Sequence, residues 1–249
     1  MDFDTDIGGP HARFPQTRHS AVRDVCSSDA QTRQRALTTI VETYWKPVYK
    51  HVRLKWQADN EEAKDLTQGF FHEALQRGLF DRFDPKRASF RTYMRTCLDG
   101  YVGNERKAAG RLKRGGGAAM VSLDFDLAES ELQRQSAGAD EIASFDREWV
   151  RSVFALAIET LRRNCAAAGK SVQFTLFERY DVQRKDDGQP MTYAQLASEF
   201  GLPVTTVTNH LAWTRREFRS VLLSTLRQMT ASEVEFRDEA RLLLGIDPR

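Results

Sequence analysis

Residues 191–218 read MTYAQLASEFGLPVTTVTNHLAWTRREF, and this stretch decides how the rest of the chain is read. Thr192 is placed to cap a helix through Phe200, because its hydroxyl can accept from a backbone N–H left unpaired in the first turn. Gly201 supplies a tight turn. Pro203 suits the first position of a second helix, where a missing N–H costs nothing. Ala197, four residues before the glycine, is small enough for two helices to cross closely. Val204, Val207, Leu211 and Phe218 then share one side of the second helix; Thr205, Asn209, Trp213 and Arg216 share the other, with Thr206 beside them. This is a helix–turn–helix pattern, whose second helix can enter a DNA major groove. On that reading Thr205, Thr206 and Asn209 reach base edges, and Arg215 and Arg216 lie near phosphates. An ordinary helical hairpin is the competing reading of the same spacing, and His210 and Trp213 taken singly are packing residues.

Working outward, the helical period is the only one the chain shows. Residues 1–28 hold Gly8, Gly9, Pro10 and Pro15 with little periodicity and are expected to be a mobile arm. From Asp29 onward Leu37, Ile40, Val41, Tyr44, Trp45 and Val48 fall on one face, with Pro47 expected to kink or split the helix. Asn60 is the expected cap of the next helix. Its residues 61–75, EEAKDLTQGFFHEAL, place Ala63, Leu66, Phe70, Phe71, Ala74 and Leu75 on one side. The opposite side carries Glu62, Asp65, Gln68, Gly69, His72 and Glu73. Ser89 opens a further helix with Phe90, Tyr93, Met94, Cys97, Leu98, Tyr101 and Val102 as its apolar positions. Residues 122–148 turn acidic, with Asp124, Asp126, Glu129, Glu131, Asp140, Glu141, Asp146 and Glu148 against Arg134 and Arg147. They read as a solvated, partly helical linker. A second apolar stripe starts near Phe145 with Trp149, Val150, Val153 and Phe154. The expected architecture is all-α, two helical domains joined by a flexible acidic linker. It runs as arm 1–28, first helical domain 29–117, linker 118–144, helix–turn–helix domain 145–228 and tail helix 229–249.

Net charge is +2, from 37 basic and 35 acidic residues, so any electrostatic message lies in patterning. Arg106, Lys107, Arg111, Lys113 and Arg114 crowd one stretch. Arg87, Arg91 and Arg95 repeat every four residues upstream, with Phe80, Phe83, Phe90 and Tyr93 nearby. Cations along a helix with aromatics beside them suit a nucleic acid whose bases can unstack; a solvated face over core aromatics is the alternative. Cys26, Cys97 and Cys165 are far apart and read as reduced thiols. No apolar run approaches a membrane span, and the acidic opening MDFDTDIGG is unlike a signal peptide, so a cytoplasmic protein with no membrane partner is expected. No metal-ligand spacing, phosphate loop or nucleophile signature is present, so neither an enzyme nor a cofactor is expected.

The order of these pieces resembles bacterial RNA polymerase sigma factors of the extracytoplasmic-function (ECF) type, in the sigma-70 family. YWKPVYKHVRLKW, EEAKDLTQGFFHEAL and FDPKRASFRTYMRTCLDGYVGNERK resemble successive parts of the family's second conserved region, and the helix–turn–helix resembles the DNA-binding part of its fourth. The likeness runs from about Phe14 to Leu244. It implies a non-enzymatic factor that binds the β and β′ subunits of core RNA polymerase and directs it to promoter DNA. Carried over by position, Arg106, Lys107 and Arg111, with Lys113 and Arg114 beside them, would hold the minus-10 element. The loop from Leu79 to Ala88 would help capture a flipped base. Thr205, Thr206, Asn209 and Arg216 would face the minus-35 element. Glu62, Asp65, Gln68 and Glu73 would dock on the basic β′ clamp.

Two residues depart from the family pattern D-x-E-D-L-x-Q-E-x-F. Lys64 replaces an acid, and Gly69 replaces the glutamate after the glutamine, so Gly69→Glu is expected to strengthen docking. In related subgroups the missing charge is thought to come from a Ser/Thr protein kinase, and Thr67 is the only hydroxyl in 61–75. The helical period nevertheless places Thr67 amid the apolar face, which favours a packed residue. The tail 229–249 has two readings: a helix folded back near the recognition helix with Leu242 to Leu244 buried, or a frayed end. A conventional helix–turn–helix regulator that never meets core polymerase is the alternative function; it leaves the acidic helix unexplained. A purely protein-binding helical adaptor leaves the basic stripe unexplained.

Overall fold

The computed structural model describes residues 20–109, 123–133, 141–183 and 191–245, and every regular element among them is helical. In chain order these are α1 (Ala21–Asp24), α2 (Ala30–Lys55), α3 (Asn60–Gln76), α4 (Phe90–Ala109) and α5 (Phe125–Gln133). They continue as α6 (Glu141–Ala167), α7 (Ser171–Phe177), α8 (Tyr193–Phe200), α9 (Val204–Gln228) and α10 (Glu233–Leu244). A 3₁₀ turn covers Phe80–Arg82 and a π-helical turn covers Glu178–Val182. The chain forms two compact units. One is His19–Leu156 with Thr225–Arg249; the other, in its described residues, is Ala157–Ser224. The boundaries therefore fall within α6 and α9, not in the segment 118–144 expected to divide the chain.

The first unit is built on α2, which runs unbroken through Pro47 and buries Ile40, Tyr44, Val48 and Val52 completely. Phe90 and Trp149 close on Tyr44, with ring centroids 5.7 and 6.4 Å away. Burying side chains of this size stabilises by about 1.5–3 kcal/mol each. The cap of α3 is Asp59 rather than Asn60: the Asp59 carboxylate accepts from the Glu62 N–H at 2.8 Å, a shift of one residue within the latitude of helix ends. Ser89 caps α4, accepting from the Thr92 N–H at 3.3 Å.

Two segments expected to be loose are packed instead. Residues 20–28, the end of the expected arm, hold α1, which Ser20 caps and which buries Ala21 and Val22. Ser20 also donates to the Thr230 carbonyl at 2.7 Å, tying this end to the C-terminal segment. The described part of the acidic segment forms α5 against α2. Phe125 lies 5.6 Å from Trp45 and 5.2 Å from Tyr49 between ring centroids, and Ala128 is fully buried. Arg53 donates to both Glu129 oxygens at 2.6 and 3.0 Å, and Glu131 pairs with Lys46 at 3.0 Å and Lys50 at 2.8 Å. Two of the acids that suggested solvation, Glu129 and Glu131, are thus paired with cations of α2.

The tail also takes a different place from either reading. Phe236 and Ala240 of α10 are buried in the first unit, whereas Leu242 is 69% exposed. Glu235 accepts from the Phe90 N–H at 2.7 Å, satisfying an open donor at the start of α4. Glu239 pairs with Arg91 at 3.1 Å. Glu235 and Glu239 thus sit on α4 within the first unit, while Glu233 pairs with Arg227 at 2.9 Å.

Candidate nucleic-acid interface

In the second unit the helix–turn–helix has the local chemistry its sequence implies. Thr192 and Gln195 form a capping box: the Thr192 hydroxyl accepts from the Gln195 N–H at 3.2 Å, and the Gln195 side chain accepts from the Thr192 N–H at 2.8 Å. Gly201 ends α8 at φ 62°, a left-handed conformation that favours glycine. The chain turns, and Pro203 directly precedes α9, its carbonyl accepting from the Val207 N–H at 3.1 Å. Leu196, Val207 and Leu211 are fully buried, and Phe218 packs on Phe177 at 5.3 Å between centroids. Val204, expected inward, is 46% exposed.

The outer face of α9 carries Thr205, Asn209 and Arg216 exposed and Thr206 half-buried. Arg215 stands apart from them. It forms a two-point pair with Asp181 at 2.8 and 3.0 Å and donates to the Tyr193 hydroxyl at 3.2 Å. Hydrogen bonding to Asp181 holds its guanidinium more firmly protonated still. Arg215 therefore ties α9 to the π-helical turn and is a brace before it is a phosphate contact. Trp213 carries Lys170 at 4.1 Å from its ring centroid, a packing role. Sequence reasoning could not see Asp181 as the brace's other half, because it lies 34 positions away in a turn of no regular period.

The first unit gathers the remaining candidates around α3 and α4. Asp65 is exposed; Glu62, Gln68 and Glu73 are half-buried on the outer side of α3. Thr67 is fully buried and its hydroxyl has no hydrogen-bond partner. Gly69 has a neighbour that changes its meaning. The Tyr101 hydroxyl lies where a Cβ would stand, so the glycine makes room for a side chain of α4. A glutamate there must displace Tyr101 and adds no simple charge, which corrects the expected gain from Gly69→Glu. Burial, with Glu105, Glu73 and Asp65 nearby, raises the Tyr101 hydroxyl to about 12, so it stays a neutral phenol.

The cations are largely engaged. Arg106 pairs with Glu62 at 3.2 Å and lies over the Trp56 ring. Lys107 is exposed; Arg111, Lys113 and Arg114 lie outside the described residues. The expected stripe splits: Arg87 precedes α4 and is exposed, whereas Arg91 and Arg95 do not lie on a solvated face. Arg91 is 9% exposed, stacks 4.7 Å from the Trp149 centroid and meets Asp146 and Glu239. Arg95 also meets Asp146, at 3.5 Å, and Arg87 meets Asp84. Phe80 and Phe90 are core; Phe83 and Tyr93 are half-buried with centroids 5.3 Å apart. Arg82, Phe83, Arg87 and Tyr93 line an open pocket in the loop Leu79 to Ala88.

No helix among the described residues is long and apolar enough to cross a membrane. No family model, curated protein or solved structure matches the chain.

Proposed function

We propose that the chain is an ECF-type sigma factor, which binds core RNA polymerase in the cytoplasm and directs it to specific promoters. The observation that carries the proposal is the recognition helix. Thr205, Asn209 and Arg216 stand exposed on α9 behind the buried Val207 and Leu211, on a capped and glycine-turned helix pair. Polar tips on a helix held this way can enter a major groove without disturbing the core. The open pocket beside Phe83 and Tyr93 supports capture of an unstacked base. The outer side of α3, with Glu62, Asp65, Gln68 and Glu73, supports docking on a basic protein surface. Control by a Ser/Thr kinase at Thr67 receives no support, since the hydroxyl is buried.

One observation favours a second reading. Arg91, Arg95 and Arg106 are all met by carboxylates, which suits a conventional regulator that reads DNA with α9 alone. Co-purification with core polymerase separates the two: retention of stoichiometric β and β′ subunits is expected for the sigma factor, and their absence leaves the regulator. Promoter selectivity tests the shared element. Thr205→Ala, Asn209→Ala and Arg216→Ala combined should erase the preference for one sequence over another, at about 1–3 kcal/mol for each lost base contact. Unchanged preference overturns the recognition-helix assignment.

A further inference from the structure

Two residues with different expected tasks meet in the first unit. Glu62, near the start of α3, belongs to the face expected to meet a basic protein surface. Arg106, in the last turn of α4, opens the basic run expected to meet DNA. The Arg106 guanidinium donates to both Glu62 oxygens, through Nε at 3.2 Å and Nη2 at 3.3 Å. This two-point geometry is the one a guanidinium also makes with a phosphate.

Arg106 has a second support that does not depend on Glu62. Its guanidinium carbon lies 5.6 Å from the Trp56 ring centroid. The Trp56 indole N–H donates to Asp99 at 3.1 Å, and Asp99 also accepts from Lys55 at 2.8 Å. Burial works to raise the Asp99 carboxyl, but its bonds to His51, Lys55 and Trp56 outweigh that and bring it down to about 2, so it remains an acceptor. The ring is therefore a fixed platform. Glu62 and Arg106 side chains are 42% and 37% exposed, within reach of a competing partner from either direction.

We propose that Glu62 is an exchangeable stand-in for a nucleic-acid phosphate. A basic protein surface that takes Glu62 releases Arg106, still braced on Trp56, to bind DNA; DNA that takes Arg106 releases Glu62 to the protein partner. The inference rests on the reading that this unit meets both partners. Because the coupling is a free energy between two binding events, it acts equally in both directions. An exposed pair contributes little, so the effect is about two- to five-fold, small enough for exchange rather than permanent closure.

The test measures binding of the full-length protein to a fluorescein-labelled 30-base-pair duplex of arbitrary sequence, by anisotropy at low salt. Four variants are compared with the parent: Glu62→Gln, Arg106→Gln, the double substitution, and Glu61→Gln. Glu61 is the control, a neighbouring acid that pairs with Lys64 instead. Glu62→Gln is expected to tighten binding about two- to five-fold, Arg106→Gln to weaken it, and Glu62→Gln to add nothing once Arg106 is gone. Equal tightening by Glu61→Gln, or a gain that survives Arg106→Gln, overturns the inference and reduces Glu62 to one more repelling charge. A parent protein with no affinity for the duplex overturns it as well. Failure to retain core polymerase while Glu62→Gln still tightens DNA binding through Arg106 overturns the proposed function and the protein half of the exchange, and leaves in place only the competition of Glu62 with DNA for Arg106. Circular dichroism with unchanged helix content and melting confirms that each variant is folded.

Discussion

Thr67 and Gly69, two residues apart on α3, take opposite sides of the helix for opposite reasons. The fully buried Thr67 hydroxyl has no partner, which costs about 1–3 kcal/mol relative to a satisfied group. Thr67→Val keeps the shape and removes that penalty, so it should raise stability by about 1 kcal/mol. Thr67→Asp buries a carboxylate and should lower stability by about 3 kcal/mol or more. Thermal melts of both variants check this; a stable Thr67→Asp protein would reopen the kinase reading. Gly69 is a different case. An alanine there gains about 1 kcal/mol of helix propensity, but its Cβ meets the Tyr101 hydroxyl. Gly69→Ala alone should therefore lose stability, while Gly69→Ala made in a Tyr101→Phe background should gain about 1 kcal/mol over Tyr101→Phe. Four melting curves close that cycle. The burial of Thr67 was legible from the period of residues 61–75. The reason for Gly69 was not, because the residue that needs the space comes from another helix.

At the scale of elements, legibility follows whether the stabilising contact is local. The turn between α8 and α9 is set by Thr192, Gln195 and Gly201, all within ten positions, and the sequence located all of it except Gln195's half of the capping box. By contrast, α5 looked like a linker because its acids have partners far away on α2. Those partners make a pH-dependent attachment. Arg53, and then Tyr49, hold the Glu129 carboxyl below the usual range. Burial raises Glu131, but Lys50 and Lys46 outweigh it and lower it overall. A carboxylate depressed in the folded state contributes stability above its unfolded value, about 4.3, and loses it as pH falls through the folded value. The attachment of α5 should be constant from neutral pH to about 5 and fail below about 4. Hydrogen exchange of the α5 amides, corrected for intrinsic rate, measures this. Phe125→Ala should increase exchange at every pH, since it removes the apolar half of the contact.

For the whole molecule the decisive feature is chain order. The first unit is assembled from two separate stretches, and the later one supplies Leu226, Met229, Phe236 and Ala240 to its core. Ending the chain at Gln228 removes Phe236 and the Glu239 partner of Arg91. That should destabilise the first unit by about 3–5 kcal/mol, because a buried cation loses one of its two acids. Urea unfolding followed by circular dichroism should then show two separated transitions, with the second unit melting last. A truncated protein as stable as the parent would reduce α10 to a passenger. The same topology has a consequence for synthesis. Domains ordinarily fold in the order in which they leave the ribosome, but here the half made first waits for the half made last. Residues 157–224 emerge as one continuous piece and can fold while residues 19–156 are still missing α10. A ribosome that stops before residue 233 releases a chain whose helix–turn–helix unit is formed and whose first unit is not, so the codons for α10 act as a completeness check on the stretch made before them.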